Sequence, residues 1–319
     1  MKQQRPFRFG VINERISTRQ KWIYKARQAE DRGYATFLLR DHFIREPFGD
    51  QFAPIAALMS AADATTSLRI GSLVLDNDYR HPVVLAKETA TLDVLSDGRF
   101  ELGLGAGWLH EEYEQSGITF EPPGVRISRM EEALHILKGL FTGEPVTYTG
   151  KHYTITNLTS FPKPIQKPHP PILIGGGGKR ILSIAGREAN IIGILNSSLT
   201  SGALEDEVEG LSSTTVEKKL EWVRQGAGAR FPEIELSMVI TLMITENQRD
   251  GIEELARQRG WSGIASERIL DMPSVFIGSA EQIAKQMLAR RERFGISYYI
   301  VTDEEMEAFA PIVRLLSSK

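Results

Sequence analysis

The stretch from Gly71 to Trp108, GSLVLDNDYRHPVVLAKETATLDVLSDGRFELGLGAGW, constrains the fold more than any other part of this chain. It reads as strand, loop, helix, strand and glycine-rich turn. Two apolar runs with a helix between them form a β-α-β unit, which joins parallel strands and puts both following loops on one edge of the sheet. Ligands of parallel α/β folds bind at that edge, beyond the carboxyl ends of the strands.

The same alternation runs along the rest of the chain. Strand patterns at Phe7–Ile12, Tyr34–Leu39, Leu68–Leu75, Phe100–Leu104, Ile172–Gly175, Asn190–Leu195, Leu236–Ile244 and Tyr298–Val301 alternate with helical ones. Thr18 suits the cap of the first helix, Pro82 the first turn of the third, and Asp97-Gly98 the turn into strand four. The aromatics Trp22, Phe37, Phe100 and Phe141 sit at core spacing. Two excursions break the rhythm. At about 143–171, VTYTGKHYTI reads as a hairpin turning at Gly150-Lys151, and FPKPIQKPHPP is held extended by its prolines. At about 247–271 the pattern is helical, and Ser197–Ser213 reads as a polar, acidic loop.

Eight strands, each followed by a helix, predict an α/β fold: a (β/α)8 TIM barrel in one domain over residues 1–319, with these insertions. The rival open doubly wound sheet needs a G-x-G-x-x-G turn. Gly103, Gly105 and Gly107 are spaced G-x-G-x-G instead.

Composition narrows function by exclusion. With 38 basic and 41 acidic side chains and a net charge of −3, nothing favours nucleic acid or an anionic membrane. The absence of cysteine excludes thiol catalysis, thiolate metal sites and disulfides, and fits a cytoplasmic location. The first residues lack the apolar core of a signal peptide, and no apolar run approaches the roughly 20 residues of a membrane helix.

Chemistry-bearing residues fall in the strand-end loops. Gly175, Gly176, Gly177 and Gly178 follow strand five and open a helix, so free backbone N–H groups and the positive helix end suit a phosphate. Walker A is excluded, because Arg180 stands where Ser or Thr is required. The plain alternative is a tight turn without ligand. Asp41-His42 lies past strand two, where an imidazole can hydrogen-bond a ring or exchange a proton. The bland reading makes Asp41 a turn cap and His42 a bystander. Gly71 inside strand three signals a bulge or close backbone approach. Asp76, Asn77 and Asp78 can accept from a ligand or cap a turn, and His81 reads as a helix-start residue. Past strand four, Gly105 and Gly107 allow close backbone approach and Trp108 can wall a pocket, while Glu111 or Glu112 can start a helix. His110-Glu111 is not H-E-x-x-H, since residue 114 is Glu, and no metal site is expected. His152 and His169 fall in the first excursion and read as structural or solvated.

Several runs carry a resemblance: PFRFGV, DHF, LDNDYRHPVVLAKETATLDVLSDGRFELGLGAGW, PPGVRISRMEEALHILKGLF and HPPILIGGGGKRIL. They resemble the luciferase-like monooxygenase superfamily, and within it the oxidoreductases dependent on the deazaflavin coenzyme F420. The resemblance covers most of residues 6–195 and fades after that. It implies a luciferase-like barrel that transfers hydride between coenzyme F420 and a small organic substrate. His42 and Asp41 would lie beside the ring as the catalytic pair. Ser72, Leu73, Asp76, Gly105, Gly107, Trp108 and the Gly175–Gly178 loop would contact the cofactor, the loop holding its phosphate. It also implies a strand-three bulge with a cis peptide between non-proline residues, by position Ser72-Leu73, and a homodimer. Similar sugar dehydrogenases carry a catalytic glutamate where Trp108 stands, which argues against a sugar phosphate; Arg40 is also a departure. Substrate would enter beneath the loops at Phe43–Gln51 and Leu195–Ser213. The alternatives are an FMNH2-dependent monooxygenase served by a flavin reductase, and a non-catalytic flavin-binding protein.

Overall fold

A computed structural model describes residues 5–15, 18–195 and 204–317. Eight parallel strands close a barrel: β1 (Arg8–Asn13), β2 (Thr36–Leu39), β3 (Arg69–Ser72, resumed at Leu75–Asp76), β4 (Phe100–Gly105), β5 (Ile172–Gly176), β6 (Ile191–Ile194), β7 (Glu235–Val239) and β8 (Ile296–Thr302). Closure is explicit in the register, with Gly10 opposite Ile300 across β1 and β8 and Ile70 opposite Phe100 across β3 and β4. The principal helix after each strand is α1 (Arg19–Asp31), α2 (Pro54–Ala64), α3 (Pro82–Leu95), α4 (Pro123–Phe141), α5 (Lys179–Glu188), α6 (Ser213–Ala227), α7 (Ala280–Phe294) and α8 (Met306–Leu316).

The strands are apolar on both faces because helices cover the outside and side chains fill the inside. Ile12, Leu38, Leu173, Ile191, Tyr298 and Ile300 form the inner cluster. Phe9, Val11, Phe37 and Phe100 face the helices, where Trp22 and Phe141 also pack. The floor is charged rather than apolar. Glu101 accepts from Arg8 at 2.9 Å and from Arg69 at 2.6 Å, and Arg8 reaches Glu235 at 3.2 Å. These pairs close the amino end of the barrel, leaving the other end for ligands.

Caps explain the helix starts. Thr18 accepts from the Lys21 amide at 3.2 Å, and His81 accepts from the Val83 amide ahead of Pro82. Ser279 and Gln282 form a reciprocal capping box at α7.

The excursions lie outside the barrel wall. Val146–Thr149 and Thr154–Leu158 pair as the expected antiparallel hairpin, its turn held by Glu132 of α4 accepting from three consecutive amides. The proline-rich run includes cis bonds at Phe161-Pro162 and Lys167-Pro168.

Three expectations are corrected. The strand at Leu68–Leu75 is interrupted, because Leu73 and Val74 bulge out of the ladder. The strand at Leu236–Ile244 is two strands: after Val239 the chain leaves the barrel, and Thr241–Ile244 pairs in parallel with Val275–Gly278. Val275–Gly278 is buried throughout, so no alternation marks it in the sequence. The pair carries its own small core of Trp261, Ile269, Met272, Val275 and Ile277, which gives the helices at 248–259 and 266–271 something to pack on. Finally, the expected loop Ser197–Ser213 contains a helix, Leu204–Leu211, whose Val208 and Leu211 join that core; residues 196–203 lie outside the described residues. No helix among the described residues is long and apolar enough to cross a membrane.

Candidate active site

The carboxyl ends of β2, β3 and β4 meet on one side of the barrel mouth. His42, just past β2, has Nδ1 2.9 Å from Oε2 of Glu112. Its ring lies 5.2 Å from Phe48 and 6.1 Å, edge-on, from Trp108. Trp108 is 40% exposed, and Phe43, also exposed, stacks on Tyr79 at 4.4 Å, so aromatic surface that the core does not use lines the mouth. Arg40 lies 3.8 Å from the Phe48 ring centre and donates to Glu14 at 2.8 Å. Among the described residues, Nε2 of His42 has no partner.

Asp41 is buried and fully engaged. It accepts the Asp76 amide at 3.1 Å and pairs with Arg80. The pair Asp41-His42 is therefore split: one residue ties β2 to the loop after β3, and the other faces the aromatic slot.

The bulge in β3 explains the glycines of β4. The cis bond is Leu73-Val74, not Ser72-Leu73 as position in the resemblance implied. A Cβ on Gly103 would run into the Ser72 carbonyl, and one on Gly105 into Val74. These two glycines make room for the bulge itself. Where the ladder breaks, the Ser72 hydroxyl substitutes for it, donating to the Gly103 carbonyl at 2.9 Å and accepting from the Gly103 amide at 3.0 Å. Leu73 and Val74 project into the inner cluster beside Leu173. Gly107, at φ +72°, gives way to a different neighbour, since a Cβ there would strike the Tyr113 hydroxyl and Asp76.

Asp76 accepts from the Asp78 amide at 2.9 Å and from Tyr113 at 2.8 Å. Burial raises its pKa to about 7, with the Asp78 and Asp41 charges adding to the effect against those two hydrogen bonds. Asp78 pairs with Arg129 at 2.9 Å, and Asn77 reaches the Tyr153 hydroxyl at 3.4 Å. Burial also raises the phenols of Tyr79 and Tyr113, which keeps both as hydrogen-bond donors.

Across the mouth, the run of four glycines is shared between strand and helix. Gly175 and Gly176 complete β5, and Gly178 is the N-cap of α5, with no side-chain cap on the first-turn amides. A Cβ on Gly176 would collide with Ile181, so that glycine serves packing. At Gly175 the nearest neighbour of a Cβ is the Gly193 carbonyl at 3.9 Å, and at Gly193 it is Gly175 Cα at 3.5 Å. These two glycines leave a side-chain-free cradle that any larger residue would fill. Arg180 turns away to Gly124 and Ser128, both at 2.8 Å.

Sequence reasoning gave Glu112 only a role in starting a helix, and it did not select Tyr79 or Gly193. Glu112 does stand in the first turn of the helix His110–Ser116, but its carboxylate points across to the β2 and β3 loops. The local pattern resembles an ordinary helix start, so no sequence signal marked it.

A parallel barrel whose strand-end loops surround an imidazole and an open glycine cradle belongs to the class of barrel enzymes that bind ligands at the carboxyl end. The chain belongs to the luciferase-like monooxygenase family, whose model matches residues 17–210. It is an oxidoreductase of the flavin and deazaflavin type. It is 31% identical over 241 residues to the F420-dependent glucose-6-phosphate dehydrogenase of Kineococcus radiotolerans, covering 75% of this chain and 67% of that one. It is 24% identical to the FMNH2-dependent dimethylsulfone monooxygenase of Pseudomonas putida, covering 97% and 93% respectively. A solved F420-dependent secondary alcohol dehydrogenase, in complex with an F420–acetone adduct, superposes with a TM-score of 0.75 over 98% of each chain at 18% identity, a likeness of fold.

Proposed function

We propose that this enzyme transfers hydride between coenzyme F420 and a small organic substrate. The observation that carries the reading is the setting of His42: an imidazole with one nitrogen held by Glu112 and the other without a partner among the described residues, in an aromatic slot of Phe48 and Trp108. Hydride transfer to or from a carbonyl or alcohol needs such a proton-exchanging group near the reacting carbon.

The residues present fit a flavin-sized group. The cradle at Gly175 and Gly193 accepts a flat surface without displacing a side chain. The uncapped first turn of α5 at Gly178 suits a phosphate, with Gly177 and exposed Lys179 beside it. Leu73 and Val74 would back the ring; Asp41, Asp76 and Ser72 hold the bulge and loop that place it. When bound, the deazaflavin supplies the hydride donor or acceptor. His42 exchanges the substrate proton at Nε2. Phe48 and Trp108 exclude water and orient the substrate.

The relative of 31% identity favours the deazaflavin. A second reading, an FMNH2-dependent monooxygenase with a reductase partner, is supported by the dimethylsulfone monooxygenase match along nearly the whole chain. Parallel fluorescence titrations with F420 and FMN test the choice. Micromolar binding of F420 alone supports the first reading; preference for FMN, with oxygen uptake on reduction, replaces it by the second.

A homodimer through α2 and α3 is part of the same proposal. Val84 and Leu95 are more than half exposed on α3, and Leu95 lines an apolar groove of about 270 Å³ with Ile55, Met59 and Leu92. Light scattering should give twice the chain mass, and Leu95→Glu should halve it.

A further inference from the structure

We propose that Glu112 is the positioning residue for His42: it fixes the hydrogen on Nδ1, so that Nε2 is the proton-accepting atom facing the Phe48–Trp108 slot. The inference rests on the reading of His42 as the proton-exchanging group and adds the residue that sets its working form.

The geometry is specific. Glu112 is 1% exposed, and each of its oxygens is used twice. Oε1 accepts from the Phe43 and Ile44 amides, the latter at 3.2 Å. Oε2 lies 2.9 Å from the Tyr79 hydroxyl and 2.9 Å from His42 Nδ1. The amides can only donate, so Oε1 bears no hydrogen. The Tyr79 phenol, raised by burial, keeps its proton and donates to Oε2. A carboxylate between donors accepts from Nδ1–H as well, and a neutral imidazole with its hydrogen there carries the lone pair on Nε2.

A side chain needed only to staple loops would be served by the two amides. The contact to His42 Nδ1 is additional, and it comes from the short helix after β4 to a residue after β2, with Tyr79 joining from the segment after β3. Three strand ends therefore set one ring. The other charged groups around the ring are already paired: Arg40 with Glu14, and Asp41 with Arg80. Neither Phe48 nor Trp108 offers a competing acceptor to the ring.

The test is the tautomer of His42 in the cofactor-free protein. The chain has six histidines, so ¹⁵N-histidine labelling with a His42→Gln variant assigns the ring signals. In the native protein with the ring neutral, Nδ1 should give the pyrrole-type signal and Nε2 the pyridine-type signal. In Glu112→Gln the amide can keep accepting from the backbone through its oxygen and turn its NH2 toward Nδ1, so the two signals should exchange. A pyridine-type Nδ1 in the native protein overturns the proposal, whether or not the variant folds. So does an unchanged tautomer in a folded Glu112→Gln. Because the measurement needs no cofactor, it is separable from the function: failure to bind F420 removes that reading and leaves the tautomer result standing.

Discussion

Replacing Ser72 by Ala isolates how the barrel wall tolerates its own interruption. Between Gly71 and Leu75, β3 does not pair with β4; the ladder resumes at Leu75 opposite Leu104, so the Gly103 amide is the group left facing the gap. The Ser72 hydroxyl accepts from that amide at 3.0 Å and donates to the Gly103 carbonyl at 2.9 Å, in a site where Ser72 is 1% exposed. Ser72→Ala would leave the buried Gly103 amide unsatisfied, since the carbonyl also faces the ladder resumed at Leu75. One such group costs about 1–3 kcal/mol. At about 2 °C per kcal/mol for a large domain, Tm should fall by roughly 2–6 °C. The internal control is Ser297→Ala. Ser297 is equally buried, yet its hydroxyl has no protein partner among the described residues. Its loss should change Tm by no more than about 1 °C, since no hydrogen bond is broken. Differential scanning fluorimetry on the three proteins decides. Equal and small shifts for Ser72→Ala and Ser297→Ala would refute the claim that a side chain replaces the ladder at the bulge.

Three further outcomes follow from the same geometry. Gly193→Val should lower F420 affinity at least about 10-fold, read by fluorescence titration, because its methyls occupy the cradle beside Gly175; the nearest obstruction to its Cβ is 3.5 Å away, so Tm should hold within a few degrees. Asp76 titrates near 7 when folded and near 4 when unfolded, so between those values the unfolded chain has released a proton that the folded one keeps. Its contribution to stability therefore falls as pH rises from about 4 to 7 and is level above; Asp76→Asn should remove that slope from the urea-derived stability profile, and an identical slope in the variant would contradict it. Glu30 behaves oppositely: its Oε1 accepts from the Thr66, Ser67 and Leu68 amides, and these bonds hold its pKa down to about 2 against its modest burial. That stability is present above the unfolded value and lost as pH falls from about 4.5 toward 2, so Glu30→Gln should destabilise at pH 7 by about 1 kcal/mol and converge with the native protein at pH 2.

The barrel was legible in the chain before any coordinates. Eight apolar runs alternating with capped helical patterns leave little else, and Thr18, Pro82 and the hairpin at Gly150-Lys151 lie where local chemistry put them. The loops that meet at the barrel mouth were also legible, because glycines, Asp41-His42 and Trp108 follow strand ends. What each residue does there was settled by packing across the fold. Gly105 and Gly107 read as openings for a ligand, but Val74 of the neighbouring bulge fills one and the Tyr113 hydroxyl with Asp76 the other. Resemblance makes Ser72 a cofactor contact and Asp41 half of a catalytic pair; in the fold the Ser72 hydroxyl bonds to Gly103, and Asp41 to the Asp76 amide and Arg80. Glu112 read as the start of a helix, and only the meeting of three loops placed it on His42. The physical reason is the range of each interaction. Periodicity, caps and turns are settled within a few residues of chain, whereas hydrogen-bond partners in a barrel mouth come from strands far apart in sequence. His42 and Glu112 are 70 residues apart, and nothing local to either encodes the other.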